Sequence, residues 1–397
     1  MRRYLPYWCY YLHQGVLTAL MLQGVVAYFR HQGLDLASLS LLWLTFLPWI
    51  GKFFWAPWCE RHCLGLRGNR YLGSLVLLQL GMAAILLIIS ALTPQHSFYP
   101  ILKAMLLLAV LSATHDIYAD AITITTCDSH ERPFANAAQV GGSYLGVVFG
   151  SLAFLYLAQH WGWRGGFMAM ALLSLSLLLP LRWLPASREQ QKHAPPPRLD
   201  HRSIQAMWPV LCLVAVYYLA MRGMMALQTV MLLDNGLDFS QLGLITTLYG
   251  TFASGLGILI GSWMARRLGT WQCLTPSMLI HAGITLVAAC GARIFDLQVW
   301  LALFAVVNVA AAIGFVTLYN LLMGQVRPHQ PASDYALLQS TDAAVAMLAS
   351  LATLQVAHYL GYPQLLLCLA VIACVCLYPA RKMCLRLQQQ TGGITAI

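Results

Sequence analysis

Long apolar runs alternate with short polar connections along the whole chain. The apolar windows fall near residues 7–29, 38–58, 71–93, 100–124, 134–158, 165–181, 208–233, 240–264, 272–291, 298–323, 334–357 and 363–380. A helix of about 20 apolar residues crosses the hydrocarbon core of a bilayer, and the strands of a transmembrane barrel would instead alternate over about 10 residues. The pattern therefore predicts an all-α membrane protein with twelve transmembrane helices.

One long polar segment interrupts this pattern near the middle of the chain. It contains three consecutive prolines, Pro195, Pro196 and Pro197, and several basic residues. A segment of this composition is typical of a linker between folded units. We therefore predict a six-helix bundle over residues 1–184, a cytoplasmic linker over 185–206 and a second six-helix bundle over 207–397.

The two predicted bundles share a short repeat. The sequence HQGLDLASLSLL (His31 to Leu42) matches DNGLDFSQLGLI (Asp234 to Ile245) at the Gly-Leu-Asp triplet and at two further leucines. Each bundle has an even number of spans, so both bundles enter the membrane in the same orientation. The sequence thus predicts two parallel repeats, as in transporters whose halves rock about a central binding site.

Basic residues fall mostly on one predicted face of the membrane. That face receives Arg2, Arg3, Arg61, Arg67, Arg70, Arg132, Arg182, Arg188, Lys192, Arg198, Arg202, Arg266, Arg267, Arg327, Arg381, Lys382 and Arg386. The positive-inside rule assigns this face and both termini to the cytoplasm. The same bias accounts for the net charge of +10 in a chain of which only 9% is charged, so the charge gives no support to nucleic-acid binding.

A few charged side chains lie inside the apolar windows, where a charge is costly and usually functional. They are Lys52, Asp116, Asp120, Arg222 and Asp342, with His13, His115 and His281 nearby. Asp116 and Asp120 are four residues apart and lie on one helical face. Two neighbouring carboxylates in a low dielectric disfavour the doubly charged state and so favour proton exchange. Asp116, Asp120 and the adjacent His115 are therefore candidates for proton coupling. In the alternative, one of the two carboxylates pairs with Lys52, which lies at the same depth, about 12 Å from the cytoplasmic end of its helix.

The arginine in the seventh window is the main candidate for substrate binding. Arg222 keeps its charge at any physiological pH and suits an anionic group of a substrate. Weaker candidates for the same role are His13, Gln139, Gln339 and Asp342. We expect no catalytic residue, metal or cofactor, because the eleven cysteines are scattered and show no metal-ligand spacing. No phosphate-binding loop is present, so the energy source is a gradient or a partner.

Three motifs in the first half carry a resemblance to a known family. KFFWAPWCER (Lys52 to Arg61) is similar to a signature at the end of helix 2 in one branch of the major facilitator superfamily. ATHDIYADA (Ala113 to Ala121) resembles the helix 4 motif of that branch, and the segment from Glu131 and Arg132 to Gly142 resembles its helix 5. The branch contains the AmpG muropeptide permeases and the RhtX/FptX siderophore permeases.

The resemblance implies the major facilitator fold and a transporter of the bacterial inner membrane. Twelve spans, without the two extra helices common in AmpG-type permeases, favour the siderophore branch. The expected activity is then proton-coupled import of a siderophore, with or without bound iron, by a monomer in the lipid bilayer. The expected cavity is lined by helices 1, 4, 7 and 10, and Tyr118 is among its aromatic residues that suit a flat ligand. A further set of charged residues is expected to serve the inner gate or to stabilise the structure: Lys52, Glu60, Arg61 and Arg132.

Three alternatives stay open at this point. The first is a muropeptide permease, and the second is a sensor that has kept the transporter fold. The third is a membrane acyltransferase, suggested by the H-x4-D spacing of His115 and Asp120. Residues five apart on a helix point away from each other, which counts against the third alternative.

Overall fold

The computed structural model describes residues 4–34, 38–39, 41–94, 96–128, 130–187, 201–237, 239–268 and 270–392. In these residues the chain is helical, apart from turns, short connections and one isolated bridge between Leu66 and Asn69. The all-α class predicted from the apolar windows is confirmed.

The helices are numbered here by transmembrane segment. They are α1 (Leu5–His31), α2 (four short pieces, Leu41–Phe46, Leu47–Gly51, Lys52–Phe54 and Ala56–Arg61), α3 (Leu72–Ala91), α4 (Phe98–Thr126), α5 and α6 (both within Arg132–Trp183), α7 (His201–Asp234), α8 (Phe239–Arg267), α9 (Thr270–Gly291), α10 (Leu297–Gly324), α11 (Pro331–Leu360) and α12 (Tyr362–Gly392).

Among the described residues, ten helices are long and apolar enough to cross a membrane. The longest, Arg132–Trp183, has 52 residues, which suffices for two crossings, and its backbone is non-helical at Gly162, where φ is 70°. We divide it there into α5 (132–161) and α6 (163–183). The shorter apolar stretch Leu41–Phe54 belongs to α2, and these two segments account for the difference from the twelve predicted spans.

Segment α2 is broken because its sequence restarts the helix twice. Pro48 lies in the first turn of Leu47–Gly51, and Pro57 lies in the first turn of Ala56–Arg61. A proline has no backbone N–H and cannot continue a preceding helix, although it fits well in a first turn. The two helical pieces are joined by a 3-10 turn that carries Lys52.

The repeated Gly-Leu-Asp triplets occupy equivalent positions at the ends of α1 and α7. Gly33 and Gly236 have positive φ angles of 85° and 92°, which glycine adopts without strain. In both places the amide of the following leucine bonds back to a carbonyl five residues earlier, Leu34 to Phe29 and Leu237 to Leu232. This is the hydrogen bond of a glycine C-cap, and it explains why the triplet recurs. The aspartates of the triplets, Asp35 and Asp238, lie outside the described residues.

The chain forms two compact units. The first comprises Met1–Arg198 together with Val326–Leu337, and the second comprises Leu199–Gln325 and Leu338–Ile397. In the first unit α3 packs on α4 and α6, and in the second α9 packs on α10 and α12, six helices further along. The beginning of α11 thus packs with the first unit. Most of the predicted linker, residues 188–200, lies outside the described residues, and the predicted domain bounds stay a prediction.

Candidate functional site

A buried ion pair joins α2 and α4 in the first unit. The 3-10 turn of α2 directs the ammonium group of Lys52 to the carboxylate of Asp116, and both side chains are 1% exposed. Two opposite charges removed from water hold each other in place, since either one alone would carry the full desolvation cost. Of the two partners that the sequence offers Lys52, the structure selects Asp116.

Asp120 lies one turn further along α4 and is held by hydrogen bonds to neutral groups. Its Oδ1 accepts hydrogen bonds from the hydroxyl of Tyr11 at 2.9 Å and from Nε2 of Gln139 at 3.0 Å. Its Oδ2 has no hydrogen-bond partner among the described residues, although the side chain is 1% exposed. Asp120 therefore has one carboxylate oxygen that is fixed and one that is available to a proton.

Two histidines lie close together beside this region. The ring centroids of His13 and His115 are 5.1 Å apart, and Nε2 of His13 lies 2.8 Å from the hydroxyl of Ser174. Both ring nitrogens of His115 lack a hydrogen-bond partner among the described residues. His115 does not bond to Asp120, so the structure does not assemble the base and carboxylate that an acyltransferase would need.

The carboxylate of Glu60 caps the beginning of α11. It accepts hydrogen bonds from the backbone N–H of Ala332 at 3.1 Å, from the N–H of Ser333 at 2.9 Å and from the Ser333 hydroxyl at 2.5 Å. The hydroxyl of Tyr71 adds a fourth at 3.2 Å. A helix N-terminus exposes unpaired N–H groups and carries a partial positive charge, so a carboxylate is well placed there.

A second carboxylate in the same first turn stabilises the loop that leads into α11. Asp334 accepts from Nε and Nη2 of Arg327 at 2.8 and 2.6 Å, and from Nε2 of Gln330 at 2.8 Å. An arginine that contacts a carboxylate through two nitrogens fixes both position and angle. The beginning of α11 is therefore held from two sides, by Glu60 and by its own preceding loop.

The other predicted residues of the first unit are dispersed. Tyr118 is 4% exposed and donates to the backbone carbonyl of Cys59 at 3.1 Å, so it packs α4 against α2. Arg61 is the exposed last residue of α2, and Arg132 is the half-buried first residue of α5. These three residues therefore lie on three different helices, α4, α2 and α5.

In the second unit, the two charged candidates pair with each other. Nε and Nη2 of Arg222 donate to Oδ1 of Asp342 at 3.2 and 2.7 Å, and Nη2 also lies 2.7 Å from Oδ2. The hydroxyl of Tyr319 donates to the same carboxylate at 3.1 Å. The guanidinium lies over the rings of Tyr218 and Phe315, 5.1 and 4.7 Å from their centroids.

The pairing leaves one side of the guanidinium available. Nη1 of Arg222 makes no hydrogen bond to a described residue, and the side chain is 21% exposed, whereas that of Asp342 is 8% exposed. Arg222 can thus bind a further anion while Asp342 fixes its orientation. Gln339 lies partly buried on α11, three residues before Asp342.

Three further residues complete these sites. Tyr11 and Tyr319 were among the aromatic residues expected to suit a flat ligand, and Ser333 was not singled out by the sequence. Tyr11 and Tyr319 orient the carboxylates of Asp120 and Asp342, and Ser333 donates to Glu60. Tyrosines in an apolar helix give no distinctive signal. The sequence Pro331-Ala-Ser-Asp does, because a proline followed by serine and an acidic residue is typical of a helix N-terminus that offers free N–H groups.

Comparison with known proteins identifies the family. The sequence profile of the Major Facilitator Superfamily matches residues 5–350. The anhydromuropeptide permease of Escherichia coli (strain K12) is 25% identical over 346 residues, which cover 83% of this chain and 69% of the relative. A putative transporter of Rickettsia conorii, named AmpG 4, is 22% identical over 83% of each chain.

Two solved structures have the same fold over nearly the whole chain. The human organic anion transporter MFSD10 superposes with a TM-score of 0.69 at 15% identity and covers 96% of this chain and 99% of its own. A bacterial homologue of the iron transporter ferroportin, in its outward-facing state, superposes with a TM-score of 0.70 at 12% identity and covers 98% and 100%. The predicted major facilitator fold is confirmed, as is the expectation of a transporter rather than an enzyme.

The expectation of siderophore import is wrong. Relatives that match most of this chain are named as muropeptide permeases or AmpG-type transporters. The siderophore assignment depended on the number of spans, which describes the architecture. Substrate choice depends instead on the side chains of the binding site, so a helix count could not decide it.

Proposed function

The chain belongs to the Major Facilitator Superfamily, and from this we propose that it is a secondary transporter that imports peptidoglycan fragments of the anhydromuropeptide class. It would act in the bacterial inner membrane, with both termini in the cytoplasm. The main support is the relative of that name in Escherichia coli, which matches 83% of this chain. The positive-inside distribution of arginine and lysine supports the orientation.

Arg222 is our candidate for the contact with the substrate. A muropeptide joins a sugar to a short peptide that carries carboxylates, and a carboxylate is the group that a guanidinium binds best. Nη1 of Arg222 makes no hydrogen bond within the described part of the chain, and Asp342 with the rings of Tyr218 and Phe315 holds the guanidinium in place. An arginine whose position is fixed before binding loses little conformational entropy when the substrate arrives.

Asp120 is our candidate for the proton site. Asp116 neutralises Lys52, and its protonation would leave a buried ammonium group without a counter-charge. The hydrogen bonds that Asp120 accepts come from the neutral side chains of Tyr11 and Gln139, and its Oδ2 has no hydrogen-bond partner among the described residues. Protonation of Asp120 therefore disturbs fewer contacts. We retain His115 as a neighbouring group through which a proton could reach this part of α4.

Glu60 is our candidate for the inner gate. Ala332 and Ser333 form the first turn of α11, so a carboxylate that holds their N–H groups fixes the beginning of that helix. Transport by alternating access requires helices to change position during each cycle. We propose that the hydrogen bonds of Glu60 form and break in that cycle.

Uptake into proteoliposomes tests the proposed function. The purified protein, reconstituted with an imposed pH gradient, should accumulate a labelled anhydromuropeptide, and an excess of unlabelled compound should block that accumulation. Liposomes without protein give the background. Uptake no greater than this background, in protein that is folded and correctly inserted, would reject the proposal.

We predict that Arg222→Lys raises the KM of this uptake by about tenfold and leaves the maximal rate within about twofold. A lysine offers one ammonium group, which cannot contact Asp342 through two nitrogens and also bind a substrate carboxylate. The loss corresponds to one charge-assisted hydrogen bond, about 1.5 kcal/mol or more. Arg266→Lys, the same exchange at the end of α8, is the control and should leave KM unchanged. An unaltered KM in Arg222→Lys would remove Arg222 from the substrate site.

We predict that Glu60→Gln lowers stability more than Ser333→Ala. The amide of glutamine presents an NH2 group to one of the two backbone N–H donors, which leaves a buried donor unsatisfied at a cost of about 1–3 kcal/mol. Ser333→Ala removes the hydroxyl and leaves both backbone hydrogen bonds of Glu60 in place. The apparent unfolding temperature of each variant in detergent measures the difference. Equal unfolding temperatures would contradict the predicted role of the backbone N–H groups.

A further inference from the structure

A basic pocket lies in the connection between α2 and α3, outside the buried charges described above. Its volume is about 390 Å³, and it is lined by residues 65–71 and Ser187. Among these lining residues are two arginines, Arg67 and Arg70, and no acidic side chain. The pocket therefore presents net positive charge.

Both arginines have nitrogen atoms available for an anion. Arg67 is exposed and makes no hydrogen bond to a described residue. Arg70 donates from Nε to the sulfur of Cys63 at 3.2 Å and from Nη2 to the carbonyl of Glu60 at 2.9 Å. Those bonds hold Arg70 in position, and Nη1 has no hydrogen bond to a described residue. Two guanidinium groups in one pocket favour a phosphate group, whose oxygens accept several hydrogen bonds at once.

The loop that forms the pocket is held in shape by its own hydrogen bonds. Leu66 and Asn69 exchange backbone bonds of 2.9 and 3.0 Å across a turn in which Gly68 has a φ of 74°. Ser187 donates its N–H to the carbonyl of Gly68 at 3.1 Å, and its hydroxyl accepts from the N–H of Arg70 at 3.1 Å. These hydrogen bonds fix the shape of the loop, so binding would not have to order it.

The surroundings of the pocket are those of a membrane surface. Leu64 and Leu66 are 53% and 43% exposed beside the arginines, although a loop in water would normally expose polar residues. Trp58 is 63% exposed one turn before the end of α2, and the guanidinium of Arg182 lies over the ring of Trp183, 4.7 Å from its centroid. Tryptophan and arginine at the ends of spans are typical of the headgroup region.

We propose that this pocket binds the phosphate of an anionic membrane lipid through Arg67 and Arg70, with the lipid chains against Leu64 and Leu66. The positive-inside distribution assigns the pocket to the cytoplasmic leaflet, whose surface is negative because of such lipids. The exposed leucines favour a lipid over free phosphate, since a soluble anion gains nothing from apolar neighbours.

Lipid binding to the purified full-length protein tests the proposal. Native mass spectrometry should show phosphatidylglycerol bound more tightly than phosphatidylcholine with the same acyl chains. Arg67→Gln should weaken phosphatidylglycerol binding by about tenfold, the loss expected for one charge-assisted contact. Arg67→Lys keeps the charge and should lose less. Arg293→Gln, which removes an exposed arginine from the connection between α9 and α10, should have no effect.

Two results would overturn the proposal. One is equal affinity of the wild type and Arg67→Gln for phosphatidylglycerol. The other is binding of inorganic phosphate, without lipid, with the same dependence on Arg67 and with no further gain from acyl chains. That second result would assign the pocket to a soluble phosphate. Arg67 is exposed and without a hydrogen bond to the described residues, so the variants should fold normally.

Discussion

Lys52→Met is expected to lose most of its folded protein, and Lys52→Met combined with Asp116→Leu is expected to recover it. Removing one partner of a buried ion pair leaves an uncompensated charge and costs about 3–5 kcal/mol. That cost is a large part of the total stability of a typical folded protein, about 5–15 kcal/mol. Replacing both partners by apolar residues removes both charges and is close to neutral. The yield of monodisperse protein and its apparent unfolding temperature measure both effects.

The same two variants show whether Asp116 is only the structural partner of Lys52 or also carries the transported proton. Arg293→Met, which removes an exposed cation, is the matched control and should match the wild type. If the double variant folds and still accumulates substrate in response to a pH gradient, the pair is structural and Asp116 carries no transported proton. A single variant as stable as the double variant would show that a buried carboxylate without its ammonium partner costs nothing, contrary to the role inferred from the ion pair in the structure.

The intramembrane charges could be found from the sequence, but their partners could not. A lysine or aspartate within an apolar window stands out whatever the tertiary structure. In a straight helix Lys52 would lie level with both Asp116 and Asp120. The prolines Pro48 and Pro57 break α2 into short pieces, and the resulting position of Lys52 selects Asp116.

Contacts between residues far apart in the chain could not be predicted from the sequence. Arg222 and Asp342 were both candidates for substrate binding, but no spacing rule relates residues 120 positions apart. Glu60 was assigned to the inner gate from its motif, and its partners Ala332 and Ser333 became visible only in the structure. The repeat could be predicted from the sequence, because Gly33 and Gly236 need the same backbone conformation and therefore the same residue.

Asp120→Asn is expected to abolish accumulation driven by a pH gradient and to leave exchange of substrate across the membrane intact. Asparagine keeps an oxygen at the position of Oδ1, so Tyr11 and Gln139 retain their acceptor and the fold is preserved. It cannot take up or release a proton in the physiological range. One proton that moves down a gradient of one pH unit supplies about 1.4 kcal/mol, which supports an accumulation ratio of about tenfold. In the variant this ratio should fall to about one.

Counterflow distinguishes lost coupling from lost binding. Proteoliposomes preloaded with unlabelled anhydromuropeptide should take up the labelled compound equally through the wild type and Asp120→Asn, since exchange needs substrate binding and movement of the helices but no net proton transfer. Gln139→Leu is the matched control, because it removes a hydrogen bond to Oδ1 and leaves the ionisable group. It should retain a gradient-dependent ratio above one. Tenfold accumulation by Asp120→Asn would show that the coupling proton binds elsewhere. His115, whose ring nitrogens have no hydrogen-bond partner among the described residues, would then be the next site to test.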